Sequence, residues 1–284
     1  MGQIKIFNSI GEMTQQSLDW KKNGFSVGFV PTMGFLHKGH LTLIEKAVEK
    51  CGKVAVSIFV NPTQFGQGED FEKYPKNFER DIELASSAGA DCVFFPSKDE
   101  MYPQNYQTYV ELENLPAFLC GKSRPGHFRG VATIVSKLFN IVMPDFAFFG
   151  EKDFQQLAVI RQMVKDLNFN IKIQGVPIVR EDDGLAMSSR NTYLSKEERK
   201  SALLLYKSII KAEEMIKNGE RKSLKVIEMM KNIINECDFA KIDYINISNP
   251  KTLEDVELIE NEVVLAMAVF IGKTRLIDNK VIIP

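Results

Sequence analysis

Short apolar runs that alternate with helical patterns constrain this chain more than any other feature. Residues 26–30 (SVGFV) read as a buried strand, and Leu41, Ile44, Ala47, Val48 and Cys51 then mark one face of a helix. A second apolar run, 54–60 (VAVSIFV), follows Gly52. The stretch 78–88 reads as a helix and 91–95 (DCVFF) as a third strand. Val131, Ile134, Val135, Leu138 and Phe139 mark another helix, stopped near Pro144. After the apolar run 146–149, Leu157, Ile160, Val164 and Leu167 give a further helix, and 171–178 a further strand. Strand, helix, strand in this repetition predicts an α/β domain, a parallel sheet with helices on both faces. Right-handed crossovers put the strand-to-helix turns on one edge, where open α/β sheets bind ligands.

The pattern changes near Val179. The segment REDDG is polar and ends at Gly184. Two long helical patterns follow. The first starts at Ser195, with Glu198 three residues on as a capping box, and stops at Gly219. The second covers about 224–237, and strand-like runs follow at 242–247, 263–269 and 274–277. The boundary is therefore placed at 178–186: residues 1–180 form the first domain and 181–284 a smaller α+β domain. A length of 284 residues suits two domains.

Charge excludes some partners. Lys plus Arg is 36 against 37 for Asp plus Glu, so no nucleic-acid or membrane-surface partner is expected. No apolar run reaches the length of about 18 residues that a membrane helix needs, and the first residues, MGQIKIFNSIGEMTQQ, lack a secretory pattern. Cysteines 51, 92, 120 and 237 have no C-x-x-C spacing, which suits buried thiols in a reducing compartment; a cytoplasmic protein is expected. Asn246, Ile247 and Ser248 form a sequon that reads as chance. Two segments imitate a phosphate loop. Gly121, Lys122, Ser123 and Gly272, Lys273, Thr274 end like one, but Pro116 and Met267 stand where its first glycine belongs, and no helix pattern follows either.

The chemistry concentrates after the first strand, in PTMGFLHKGH (31–40), which leads into a helix. Gly34 permits a turn that other residues resist, and Gly39 permits close approach of a ligand to the backbone. The helix start offers N–H groups and partial positive charge. The chain has only three histidines, and two of them, His37 and His40, stand here, able to donate hydrogen bonds to phosphate oxygens. Ordinary surface histidines are one alternative. A metal pair is another, but no third His or Cys ligand lies near.

V-P-T-M-G-x-L-H-x-G-H at 30–40 resembles the signature of the pantothenate synthetase (pantoate–β-alanine ligase) family. Its H-x-G-H resembles the "HIGH" element of class I aminoacyl-tRNA synthetases and related nucleotidyltransferases. Residues 57–66 (SIFVNPTQFG), 126–131 (GHFRGV), 149–157 (FGEKDFQQL) and 179–194 (VREDDGLAMSSRNTYL) resemble further segments of that family, in its order. The resemblance implies a Rossmann-like first domain and a two-step ligation. The carboxylate of (R)-pantoate attacks the α-phosphate of ATP to give pantoyl adenylate and pyrophosphate. The amine of β-alanine then displaces AMP and forms pantothenate. Adenylation supplies the leaving group that a carboxylate lacks, so the first step needs positioning and neutralisation of phosphate charge. ATP with Mg²⁺ is implied, as is a homodimer.

The resemblance also implies roles. His37 and His40 contact the phosphates, with His37 as proton donor. Met33, Gly34, Phe35, Leu36, Lys38 and Gly39 complete that part of the ATP site, and Met33 also lines the pantoate site. Gln64, Gln156 and Asn61 hold pantoate and β-alanine, although Asn61 before Pro62 is equally simple turn chemistry. Gly150, Glu151, Lys152 and Asp153 follow another strand; Lys152 neutralises phosphate and Asp153 binds the ribose. Asp153 and Gln156 also fit a capping box, which competes for the same atoms. Val179 touches adenine through its backbone. Met187, Ser188, Ser189 and Arg190 correspond to the mobile "KMSKS" element, hold the departing pyrophosphate and close as a lid, unless either serine merely caps a turn. Asp81 is a candidate for an indirect Mg²⁺ contact, against an exposed helix carboxylate. His127 receives no role. Two rivals stand beside the ligase: a nucleotidyltransferase with the same H-x-G-H chemistry, and an inactive scaffold that retains the fold.

Overall fold

The computed structural model describes residues 4–284. The chain divides into two compact units. The first takes the chain up to Leu112, then Arg124–Glu151 and Gln156–Pro177; the second takes Glu113–Ser123, Lys152–Gln155 and Ile178–Pro284.

The first unit is built on six strands: β1 (Lys5–Phe7), β2 (Val27–Thr32), β3 (Lys53–Ile58), β4 (Cys92–Phe94), β5 (Phe146–Gly150) and β6 (Lys172–Val176). They lie in the order β1-β4-β3-β2-β5-β6, and every pairing is parallel. The helices along this part of the chain are α1 (Ile10–Lys22), α2 (Lys38–Lys50), α3 (Phe78–Ser87), the single turn α4 (Lys98–Met101), α5 (Leu119–Ser123, in the second unit), α6 (His127–Val142) and α7 (Phe154–Asp166). The apolar runs are continuous because both faces of the sheet are covered. Side chains alternate along each strand. Phe29, Ala55, Phe94, Ala147 and Phe149 join a core with residues of α1, α6 and α7. Val30, Val54, Val56, Val93 and Phe148 join a second core with Ile44 and Ala47 of α2 and Ala85 of α3.

Adjacent strands β2 and β5 thus send their following helices, α2 and α7, to opposite faces. That is the topological switch point, where a crevice opens beyond the carboxyl ends of parallel strands. The loop 33–37 leaves β2 at that edge, and Glu151 leaves β5 there.

Besides the short helices α4 and α5, two elements were not legible in the pattern. The strand β1 has two exposed residues and one partly buried one. Helix α1 buries Met13, Ser17 and Trp20 at spacings of four and three, with Ser9 and Glu12 as a capping box that the sequence does carry.

The second unit has a three-stranded antiparallel sheet, β7 (Ala240–Ser248), β8 (Val263–Ile271) and β9 (Thr274–Ile282), in that order. Helices α8 (Lys196–Lys217) and α9 (Ser223–Ile234) share one core with it, through Leu205, Ile209, Val226, Met230, Leu265 and Met267 among others. The Ser195–Glu198 capping box is present. The strands run longer than the apolar runs predicted, because Lys241, Asp278 and Lys280 are polar positions within paired strands.

Two short excursions, 113–123 and 152–155, join the second unit rather than the first. Side chains explain it. Ser123 Oγ donates to Asp243 at 2.9 Å. The Gln155 amide accepts from the Cys120 N–H at 2.9 Å and donates to the Leu115 and Phe118 carbonyls at 2.9 and 2.7 Å. Asn279 donates to the Lys152 carbonyl at 2.8 Å. No described helix is long and apolar enough to cross a membrane.

Candidate active site

The loop after β2 has one conformation for reasons that can be listed atom by atom. Thr32 Oγ1 donates to the Ser57 carbonyl at 2.8 Å and accepts from the Gly34 N–H at 3.1 Å. Gly34 (φ 82°) and Phe35 (φ 51°) are both left-handed. A side chain at Gly34 would also crowd Asp81 and Ile58. Asp81, on α3, is 1% exposed. Its two oxygens accept the Phe35 and Leu36 N–H groups, each at 2.7 Å. Burial pushes this carboxyl above its ordinary range, against those two bonds. Asp81 is therefore not an exposed helix carboxylate; it holds the loop through these two bonds.

The two histidines form a reciprocal cap. His37 is the N-cap of α2, and its Nδ1 accepts from the Gly39 N–H at 3.2 Å. His40 Nδ1 accepts from the His37 N–H at 3.3 Å. The rings lie 4.0 Å apart between centroids. A nitrogen that accepts carries no proton, so in the neutral rings the proton sits on Nε2 in both cases. At this helix start the Gly39 N–H donates to His37 Nδ1 and the His40 N–H to the His37 carbonyl at 2.8 Å.

Asn61 and Gln64 sit beyond β3 on the 3-10 turn Pro62–Gln64. Asn61 is 1% exposed and its amide is fully engaged. Its Nδ2 donates to Gln64 Oε1 and to the Gly130 carbonyl, both at 3.1 Å. Its Oδ1 accepts from Tyr102 at 2.8 Å and from the Thr63 hydroxyl at 2.9 Å. Turn-holding is thus what Asn61 does here. Gln64 differs: its Nε2 donates to Met33 Sδ at 2.9 Å, a weak acceptor. Tyr102 and Gly130 were not foreseen. A Cβ at Gly130 would run into the Thr63 carbonyl, so α6 touches the turn backbone to backbone.

Beyond β5, Glu151–Asp153 is a 3-10 turn that runs directly into α7. Asp153 therefore lies within a helical turn rather than at an extended N-cap. Lys152 Nζ is 3.4 Å from Asp153 Oδ2. Within the second unit, Val179 to Met187 fold as a small hairpin. The Met187 N–H donates to the Val179 carbonyl at 3.0 Å, Arg180 bridges Ala186, and the Glu181 N–H donates to Leu185 at 2.8 Å. The REDDG segment is therefore an anchor as well as a boundary. Arg180 forks onto Asp278 at 2.7 and 2.9 Å, and Asp278 is 2% exposed. Arg199 holds Glu181 at 2.6 Å and Asp183 at 2.8 Å. Ser188 caps the 3-10 turn Ser189–Tyr193 by accepting from the Arg190 N–H at 3.3 Å. The capping reading of Ser188 holds in this geometry, and it leaves the hydroxyl hydrogen as a donor. Gly121, of the imitation phosphate loop, lies in α5, where a Cβ would strike the Pro116 backbone; α6 does begin four residues after Ser123. Among the described residues no group of three His, Cys, Asp or Glu side chains is arranged for a metal ion.

Comparisons with known proteins agree with this geometry. The family model described as "Pantoate-beta-alanine ligase" matches residues 5–281. A pantothenate synthetase of Enterococcus faecalis is 56% identical over 274 residues, 96% of this chain and 97% of its own. One from Heliobacterium modesticaldum is 54% identical over 279 residues, 98% of this chain and 99% of its own. The crystal structure of pantothenate synthetase from Thermus thermophilus superposes with a TM-score of 0.94 at 42% identity, covering 99% of this chain and 100% of that one. A Francisella tularensis pantoate–β-alanine ligase, complexed with β-γ ATP and β-alanine, gives 0.82 at 37% identity over 98% and 97%. With a switch point in the sheet, a histidine-capped helix beside it and a family match over nearly its whole length, this chain belongs to the pantoate–β-alanine ligase family.

Proposed function

We propose that the chain condenses (R)-pantoate with β-alanine through a pantoyl adenylate, consuming ATP and releasing AMP and pyrophosphate. The observation that carries this reading is the His37–His40 cap at the switch-point edge. It fixes two Nε2–H donors where a nucleotide phosphate is expected. As negative charge shifts on the phosphates during adenylation, fixed donors stabilise it without reorganising. His37 is the proton donor in this scheme.

The remaining roles follow the family. Met33, Gly34, Phe35, Leu36, Lys38, Gly39, Gly150, Glu151, Asp153, Val179 and Met187 line the ATP site. Lys152, Ser188, Ser189 and Arg190 take the phosphates and pyrophosphate, with the Met187-to-Arg190 turn as a lid. Gln64 and Gln156 bind pantoate and β-alanine, and Met33 borders them. Asn61 serves by holding Gln64. Mg²⁺ enters on ATP, bound through phosphate oxygens and water. The enzyme works as a homodimer in the cytoplasm.

The test supplies ATP, pantoate and β-alanine with Mg²⁺ and follows AMP and pyrophosphate. AMP formed only with all three substrates is the expected result. Absence of AMP removes the ligase reading. Pyrophosphate release indifferent to pantoate points to a nucleotidyltransferase.

A further inference from the structure

The third histidine has a place in this geometry that the family roles above do not use. His127 opens α6. Its Nδ1 lies 2.7 Å from the Gln64 carbonyl, and its Nε2 lies 3.1 Å from Arg124 Nη1. A carbonyl only accepts and a guanidinium only donates. His127 is therefore neutral here, with its proton on Nδ1, the opposite tautomer from His37 and His40. Arg124 also reaches the Gln64 carbonyl through Nη2 at 3.3 Å. Its Nε and Nη2 fork onto the two oxygens of Glu69 at 2.6 Å each, in the loop that follows the turn. The Gln64 carbonyl thus receives two donors, while the Gly130 backbone lies against the preceding peptide, Thr63–Gln64.

At the other end of Gln64, the side-chain Nε2 has a thioether as its acceptor. A nearly buried amide donor facing only sulfur is suited to a stronger acceptor, such as a carboxylate or hydroxyl oxygen of a substrate. We propose that Arg124 and His127 are positioning residues that set the Gln64 amide for pantoate by clamping its main-chain carbonyl, with Glu69 tying the following loop to the same guanidinium. This rests on the reading of Gln64 as a pantoate ligand.

Steady-state kinetics of the full-length chain test it, with each substrate varied in turn. His127→Ala is expected to raise the pantoate KM about tenfold, the scale of one hydrogen bond, and to leave the ATP KM within about twofold. His127→Asn puts an amide N–H where Nδ1–H stood and is expected to recover most of the loss. His127→Gln places its amide at the Nε2 position and is expected not to. If His127→Ala does not fold, the gap between the Asn and Gln variants carries the test. An unchanged pantoate KM in the Ala variant, an ATP KM that rises equally, or Asn and Gln variants that behave alike overturns the proposal. Failure of the wild-type chain to make AMP instead overturns the ligase reading, so the two failures are distinct.

Discussion

At the scale of single residues, one side chain would do two kinds of work in the proposed reaction. His37 Nδ1 caps α2, and its Nε2–H is assigned to phosphate. The two functions can be separated. Asn is a strong N-cap residue, so His37→Asn is expected to keep thermal stability within a few degrees. It removes the Nε2 donor, and pantoate-dependent ATP–pyrophosphate exchange is expected to fall about 100-fold. Near-normal exchange would reduce His37 to a capping residue. His40→Ala and Lys152→Ala are each expected to lose at least about 100-fold in the same exchange assay. Either one retaining turnover loses its assigned role.

Helices and turns set where those residues stand. Asp81 works through two backbone N–H groups of the histidine loop. Asp81→Asn keeps the volume but replaces one acceptor with a donor. It is expected to cost about 1–3 kcal/mol in urea unfolding, the penalty for a buried N–H left without its acceptor, and to lower adenylation along with it. Gly130→Ala acts between elements. The added methyl strikes the Thr63–Gln64 peptide, so α6 and the turn must separate. Overpacking of this kind is expected to cost about 1–3 kcal/mol. Unchanged stability would mean that α6 does not set the turn.

The whole molecule depends on ion pairs that no local pattern displays. Arg180 is bound to the buried Asp278 across 98 residues of chain. Arg180→Ala leaves that carboxylate buried and unpaired, with an expected loss of about 3–5 kcal/mol seen as a lower denaturant midpoint for the second unit. A second expectation concerns pH. Burial alone would raise the Glu69 carboxyl, but the Arg124 hydrogen bonds and charge bring it below its ordinary value. Arg199 lowers Asp183 in the same way. A carboxyl depressed in the folded state contributes stability above its unfolded value, near 4, and that contribution is lost as pH falls through the folded value. Acid unfolding should therefore move to higher pH in Glu69→Gln, and an unmoved transition would show that the pair adds nothing.

The sequence by itself determined the sheet, the helices and the chemistry-bearing segments. Continuous apolar runs at 26–30 and 54–60 have no other stable arrangement than burial on both faces, and the 3.6-residue stripes around Leu41 and Val131 fix what covers them. These are local periodicities, and a chain displays them openly. The small strand β1 and helix α1 escaped because a three-residue strand with two exposed positions carries too little pattern, although Ser9 and Glu12 mark the helix start. Tertiary structure alone decided the rest. It showed Asp81 as a buried loop clamp rather than an exposed helix carboxylate, put residues 113–123 and 152–155 with the second unit, and gave His127 a partner. Each of those depends on a contact between groups tens of residues apart. Only closure of the fold brings such groups within hydrogen-bond distance, and only then is it settled which nitrogen of a histidine carries the proton.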